Sequence, residues 1–291
     1  MYPSRFRYEA PRSIEEAIDL LHAGDGEAKV LAGGQSLVPL LKLRFASPEM
    51  LVDINNLPGL DYHRADPDGT IRVGALCRHA ELEHSAVLAG RQPTMAAAAP
   101  LVADPIVRNR GTLVGSLCHA DPQGDWAAVV TALGGHVVAQ GPDGRRTIPI
   151  DRFVNGPFQN ALAYDEIAVE AVIPAPEGTP AGGYLKLERR VGDFATAGTA
   201  VALETSGGVV TRAGIALTGV GGSTINAVDA AKVLVGRPLG AEVIGEAADL
   251  AARAAQPKSD HRGSAKYKRH LVHTFVERLL TRVGDTAERA A

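Results

Sequence analysis

The first apolar pattern along the chain is helical. Ile14, Ala17, Ile18 and Leu21 recur at intervals of three and four, behind a Ser13-Ile-Glu-Glu16 capping box that follows Pro11. Gly24 and Gly26 end that helix, and the apolar run Ala28-Lys-Val-Leu31 reads as a strand entering Ala32-Gly-Gly-Gln-Ser36. A second helix is expected from Leu37 through LVPLLKLR, where Pro39 is tolerated because it falls in the first turn. MLVDI at 50–54 and IRVGA at 71–75 are the next strands. A helical stretch follows from Thr94 to Val102, then a turn-rich segment from Asp104 to Asp125. The helix DWAAVVTAL at 125–133 comes next, with Asp125 at its positive end. HVVAQGPDGRRTIPI predicts a hairpin around Pro-Asp-Gly, and IAVEAVIP a closing strand.

The Pro/Gly-rich stretch IPAPEGTPAGG at 173–183 is the natural boundary. It divides the chain into a first domain at 1–177, itself two lobes of about 1–56 and 57–177, and a second at 178–291. Beyond the boundary, YLKLERR, TAGTAVALE and VVTRAGIALTG are spaced for an antiparallel meander, with Gly207-Gly208 as one turn. Helices are expected at 227–235, 241–254 and 264–283, the last with Tyr267, Leu271, Phe275 and Leu279 as its apolar face. The fold class is α+β.

Composition narrows the function. Hydrophobic content of 45% and charged content of 22% are those of a soluble globular protein. A net charge of -3 argues against a nucleic-acid partner, which leaves a basic excess. MYPSRFRYEAPRS lacks the apolar core of a signal peptide, and no run approaches the roughly 18 apolar residues of a membrane span, so a cytoplasmic chain is expected. Two cysteines, Cys77 and Cys118, are too few for an iron–sulfur cluster or a four-thiolate zinc and read as ordinary thiols. Any redox carrier is then organic.

Two turns carry the candidate chemistry. In Ala32-Gly-Gly-Gln-Ser36, adjacent glycines let backbone approach a ligand, and the following helix start leaves N–H groups for phosphate oxygens, with Gln35 and Ser36 as added donors. A plain strand-to-helix turn is the competing reading. The spacing is neither a dinucleotide fingerprint nor a Walker loop. The second turn, within VRNRGTLVGSLCHADPQGD, offers the Thr112 hydroxyl, the flexible Gly115-Ser116, and the acids Asp121 and Asp125. Thr112 and its neighbouring amides suit a pyrophosphate, and a carboxylate suits ribose hydroxyls. His119 reads as a hydrogen-bonded loop residue, with cofactor contact as the alternative; Trp126 reads as core. The basic run KYKR at 266–269 reads as a solvated helix side, with partner docking as the alternative. No hydrolase, metalloprotease or kinase constellation is present.

AGGQSLVPLLKLR, GTLVGSLCHADPQGD, YLKLERRVGDFATAG and SAKYKRHLVHTFVERLL, in this order and spacing, resemble the FAD-binding medium subunit of the molybdenum hydroxylases. That group includes carbon monoxide dehydrogenase, quinoline 2-oxidoreductase and xanthine dehydrogenase. The resemblance implies a two-lobed FAD-binding domain of the vanillyl-alcohol oxidase type, followed by a three-stranded antiparallel sheet with a helical bundle. It implies FAD held by Lys29, Val30, Leu31, Ala32, Gly33, Gly34, Gln35 and Ser36. Thr112, Val114, Gly115 and Ser116 would approach the same cofactor from the other side, with Asp125 on the ribose. Val102, Ala168 and Lys186 would approach the adenine or isoalloxazine, Lys186 as a cation favouring the reduced flavin.

One departure stands out: the family has Thr-x-Gly-Gly where this chain has Thr112-Leu-Val114-Gly115. A β-branched residue disfavours positive φ, so either Val114 keeps an ordinary backbone or the turn is displaced. The resemblance also implies partners: a large molybdenum-cofactor subunit and a small subunit with two [2Fe–2S] clusters, in a dimer of heterotrimers (a heterohexamer). Electrons would pass from the clusters through FAD to a quinone, oxygen or NAD. Peripheral attachment to the inner membrane through the complex stays open. The alternatives are a self-contained flavin oxidoreductase and a non-enzymatic assembly protein with a vestigial cofactor loop.

Overall fold

The computed structural model describes residues 2–290, with side chains through 285. The first lobe is a small three-stranded parallel sheet. β1 (Arg7–Glu9) leads to α1 (Ile14–Ala23), β2 (Ala28–Leu31), α2 (Leu37–Leu43) and β3 (Met50–Asp53), with sheet order β1-β3-β2. Ser13 caps α1, its hydroxyl accepting from Glu16 N at 3.1 Å, while the Glu16 carboxylate reaches Arg12 N at 2.7 Å. Ala17, Ile18 and Leu21 form the buried face of α1. β1 was not expected. As an edge strand its three side chains alternate around no buried face, so no pattern marks it.

The second lobe is built on a five-stranded antiparallel sheet. β4 (His63–Ala65) and β5 (Ile71–Gly74) open it. A helical layer follows: α3 (His79–Glu83), α4 (Ala86–Arg91), α5 (Pro93–Ala98) with a 3₁₀ turn at Ala99–Leu101, α6 (Pro105–Arg108), α7 (Leu113–His119) and α8 (Asp125–Ala132). The chain returns as the hairpin β6 (His136–Gly141) and β7 (Gly144–Pro149), then α9 (Ile150–Phe153), the small ribbon β8 (Val154–Gly156) and β9 (Gln159–Asn160), and β10 (Ile167–Ile173). β10 lies in the middle of the sheet order β4-β5-β10-β6-β7, and every one of its residues is buried.

The segment 104–125, read from sequence as turns, holds two short helices. Asp104 accepts from Val107 N at 2.8 Å to cap α6, and Thr112 accepts from Gly115 N at 3.0 Å to cap α7. The brevity of α6 and the Gly115 within α7 hid the helical period.

The C-terminal part begins with the meander β11 (Thr179–Leu187), β12 (Ala197–Ser206) and β13 (Val209–Thr218), joined to a two-residue edge strand β14 (Ile225–Asn226). Gly207 and Gly208, both at positive φ, make the two-residue turn between β12 and β13. α10 (Val228–Lys232), α11 (Ala241–Ala254) and α12 (Ala265–Ala290) cover the sheet. The buried stripe of α12 is Leu271, Val272, Phe275, Val276, Leu279, Leu280 and Val283, whereas Tyr267 is 44% exposed. A strict four-residue count drifts off a face that repeats every 3.6 residues. Lys268 is also turned inward, 2.6 Å from Asp260, so only its neighbours in KYKR are solvated. Gly214 packs where a Cβ would stand 1.9 Å from Ala132 O, and Thr218 Oγ1 donates to Gly124 O at 2.9 Å. Thus the meander clasps both ends of the α8 region.

Candidate functional site

The two turns singled out in the sequence meet. A Cβ on Gly33 would lie 2.3 Å from Arg110 O and 2.8 Å from Gly111 Cα, so glycine alone allows this contact. Gly34 has φ +75, the left-handed geometry that turns β2 into α2. Among the described residues, the N–H groups of Gly33, Gly34, Gln35, Ser36 and Leu37 donate to no protein acceptor. They border a groove of about 420 Å³ that Leu31 to Gln35 line together with Lys42, Asp53, Asn55 and Arg110.

Residues the sequence reading passed over hold the turns together. Asn55 Nδ2 donates to Ala32 O at 2.8 Å, and Asn55 Oδ1 accepts from Arg78 Nη2 at 2.8 Å. Arg78 Nη1 donates to Arg110 O at 2.7 Å. One continuous clamp therefore runs from the first turn to the second. Asp53-Ile-Asn55 is an Asx turn, with Asp53 Oδ1 accepting from Asn55 N at 2.9 Å, and that spacing was a visible signal. Arg78 carried none, because its partners, the Asn55 side chain and the Arg110 carbonyl, lie 23 and 32 residues away in the chain. Beneath the second turn, His79 N donates to Gly111 O at 2.9 Å, and a Cβ on Gly111 would meet the His79 ring at 2.8 Å. Trp126 Nε1 donates to His79 Nδ1 at 3.0 Å, and Trp126 is fully buried, a core residue as expected. Burial, then the charges of Arg108 and Arg78, lowers His79 to about 4, so its imidazole is neutral at pH 7.

The charge of the groove suits an anion. Neither Lys42 nor Arg110 has a carboxylate partner among the described residues, while Asp53 is engaged by Tyr8 at 2.6 Å and by Asn55. Arg78 is held below the usual arginine range by burial and then by the neighbouring charge of Arg110, a repulsion that a bound anion would relieve.

The other expected positions distribute as follows. Lys29 and Val30 lie on β2 outside the groove lining. Thr112 caps α7 and bridges Arg78, which turns the Leu113 amide toward Cys77 O and leaves the Val114 amide without a protein acceptor. Val114 sits in the first turn of α7, 2% exposed, and keeps an ordinary helical backbone. Gly115 and Ser116 follow in the same helix, and a Cβ on Gly124 would be 3.9 Å from Ser116 Oγ. Val102 and Ala168 are core residues, Val102 O accepting from Arg108 Nη1 at 3.2 Å and Ala168 pairing with Ala139 in the sheet. His119 packs on the Phe158 ring at 5.2 Å, 3.9 Å from Asp121, and burial lowers its pKa.

Asp125 and Lys186 are joined to each other. Lys186 Nζ is 3.2 Å from Asp125 Oδ2 and 3.1 Å from Glu188 Oε2, and it donates to Asp193 O at 3.1 Å. Tyr184 Oη donates to Asp125 Oδ1 at 2.5 Å. The cation is thus matched by two carboxylates rather than standing free.

This two-lobed arrangement matches known proteins along its whole length. Residues 4–176 match the FAD binding domain in molybdopterin dehydrogenase, and residues 183–283 match the CO dehydrogenase flavoprotein C-terminal domain. The chain belongs to the FAD-binding medium subunits of the molybdenum hydroxylases. It is 41% identical over 280 residues to the carbon monoxide dehydrogenase medium chain of Hydrogenophaga pseudoflava, covering 96% of this chain and 97% of that one. It is 40% identical over 280 residues to the nicotine 6-hydroxylase medium subunit of Paenarthrobacter nicotinovorans, with the same coverage. The solved carbon monoxide dehydrogenase of Hydrogenophaga pseudoflava lacking the Mo-pyranopterin moiety superimposes with a TM-score of 0.93 at 42% identity, covering 97% of this chain and 98% of that one. As a medium subunit this chain is an oxidoreductase component carrying an FAD-binding domain. No helix among the described residues is long and apolar enough to cross a membrane.

Proposed function

We propose that this medium subunit holds FAD with the pyrophosphate in the groove between Ala32–Ser36 and Arg110–Ser116, and serves as the electron outlet of its complex. The observation that supports this is the contact of Gly33 with Arg110 and Gly111, beside a groove that the unpaired Gly33–Leu37 amides border and Lys42 and Arg110 line. Bound there, FAD supplies electron exchange between the [2Fe–2S] clusters of a small partner subunit and an external acceptor: a quinone, oxygen or NAD. A large molybdenum-cofactor subunit carries the substrate chemistry, in a dimer of heterotrimers.

The chain's own residues bind and orient. The Gly33–Leu37 amides and Arg110 take phosphate oxygens, where donors fixed by Asn55 and Arg78 need no rearrangement. The Val114 amide, in the first turn of α7, adds one more free donor. Asp125 orients Lys186 and Tyr184 rather than reaching a ribose with a free carboxylate. Purification of the native complex tests the reading. It should be yellow, with FAD in this chain, and bleach when the substrate of the molybdenum subunit is added. The isolated chain should not bleach with that substrate. Bleaching of the isolated chain would favour a self-contained oxidoreductase, and a colourless chain an assembly role.

A further inference from the structure

Beside the Arg78 clamp, and outside the groove, three side chains of different ligand chemistry converge. His63 comes from β4, Cys77 from the turn that leaves β5, and Glu81 from the first turn of α3. Their ligand atoms all lie within 4.8 Å of one another, with Cys77 Sγ 3.7 Å from His63 Nδ1. Cys77 is fully buried, His63 half-buried and Glu81 exposed, so the cluster opens to solvent on its carboxylate side. FAD binding as argued above uses none of the three.

The geometry points to a site for one thiophilic divalent cation of the Zn²⁺ class, held by Cys77 Sγ, an imidazole nitrogen of His63 and a carboxylate oxygen of Glu81, with water in the fourth position. A thiolate and an imidazole select such an ion over Mg²⁺ or Ca²⁺, which prefer all-oxygen sites. Around a tetrahedral zinc with bonds of about 2.0–2.3 Å, ligand atoms stand about 3.3–3.8 Å apart. The Cys77–His63 separation already meets this. Any wider gap involves Glu81, whose exposed carboxylate caps α3 through a long 3.4 Å bond from Arg78 N and would give up or share that bond on turning to the metal. Binding forms the metal–sulfur bond as the thiol proton leaves to solvent, with no change of oxidation state. The ion would fasten β4 to the turn from which Arg78 reaches Asn55 and Arg110. Read from the sequence, Cys77 was an ordinary thiol because its partner His63 lies 14 residues back and meets it only through strand pairing.

The test uses the untagged, FAD-loaded full chain, stripped with chelator and titrated with Co²⁺ as an optical probe and with Zn²⁺ as competitor. One equivalent of Co²⁺ should give a thiolate-to-metal charge-transfer band in the near ultraviolet that Zn²⁺ abolishes. Cys77→Ala should remove the band, and Cys118→Ala should keep it. Should Cys77→Ala fold poorly, His63→Gln and Glu81→Gln, both at accessible positions, should each weaken binding at least about tenfold. Zn²⁺ should also raise the Tm of the wild-type chain and leave that of His63→Gln unchanged. Absence of the band in the wild type, or its persistence in Cys77→Ala or undiminished affinity in His63→Gln, overturns the assignment. Flavin content of the stripped chain is read separately, so loss of FAD and failure of metal binding are distinguishable.

Discussion

Lys186 Nζ lies 3.2 Å from Asp125 Oδ2, and only 1% of the lysine side chain and 8% of the aspartate side chain are exposed. The lysine comes from the C-terminal meander and the aspartate from the FAD-binding domain, so this pair bonds the two parts through their interior. Glu188, its side chain 19% exposed, shares the cation and its Oε2 has no hydrogen bond, so among the described residues Lys186 is the one counter-charge of the buried Asp125 and the half-buried Glu188. Burial raises Asp125, and Lys186 offsets that by favouring its ionised form. Lys186→Met strands both carboxylates and should cost about 3–5 kcal/mol, the scale for breaking a buried pair by removing one partner. Denaturant unfolding of the two chains measures this. A loss under about 1 kcal/mol would show that the pair is hydrated and not an anchor.

Gly33→Ala should separate the two turns. The new methyl would stand 2.3 Å from Arg110 O, which Arg78 holds in place, so backbone must move rather than a flexible side chain. Flavin stoichiometry after purification should fall severalfold while Tm falls by only a few degrees, because the site lies at the edge of the core. Gly34→Val should abolish flavin retention for a different reason. Its φ of +75 costs a β-branched residue about 1–3 kcal/mol before any contact is counted. Full flavin occupancy in either variant would move the pyrophosphate away from this turn.

The helices at 14–23, 37–43 and 125–132 and the three-stranded meander were legible because each has a full apolar period and a turn or cap at its ends. Pro105–Arg108 was not, since one turn gives no period, nor was Leu113–His119, whose Gly115-Ser116 breaks the apolar run that LVPLLKL keeps; each is marked by a single capping side chain. The same limit applies to the site. Ala32–Ser36 shows in sequence as glycines between a strand and a helix, a local signal. Asn55, Arg78 and Arg110 act by donating to, or offering, backbone atoms 23 and 32 residues distant, and that pairing exists only once β3 and α3 are placed. Lys186 was legible as a position and not as a chemical state. Its neutralisation depends on Asp125, 61 residues earlier.

Val114→Gly separates packing from cofactor contact. Val114 is helical, in the first turn of α7, and 2% exposed, so its side chain fills core that glycine would leave empty. Helix propensity costs about 0.5 kcal/mol relative to valine, and the lost methyls add a cavity term of about 1–3 kcal/mol. Stability should therefore fall by about 1.5–3.5 kcal/mol. Flavin affinity should change less than threefold, because the free amide at this position survives the substitution. A large gain in affinity from the glycine, read by flavin titration of the apoprotein, would instead mean that valine distorts the turn.

The loop carrying Asp193 should loosen in acid. Its carboxylate is pulled from an ordinary 3.8 to about 2, first by the hydrogen bond from Arg262, then by Phe194 N–H and Arg189. Because the folded value lies below the unfolded one, the stabilisation is complete above the unfolded pKa and is lost as pH falls through the folded pKa. The window is therefore roughly pH 4 down to 2. Asp193 O also accepts from Lys186, so release of this loop loosens the buried cation as well. The difference in unfolding free energy between wild type and Asp193→Asn should be constant from about pH 5 upward and shrink steadily below about pH 4. A difference that stays flat down to about pH 3 would mean that Arg262 holds the loop equally well without the carboxylate charge.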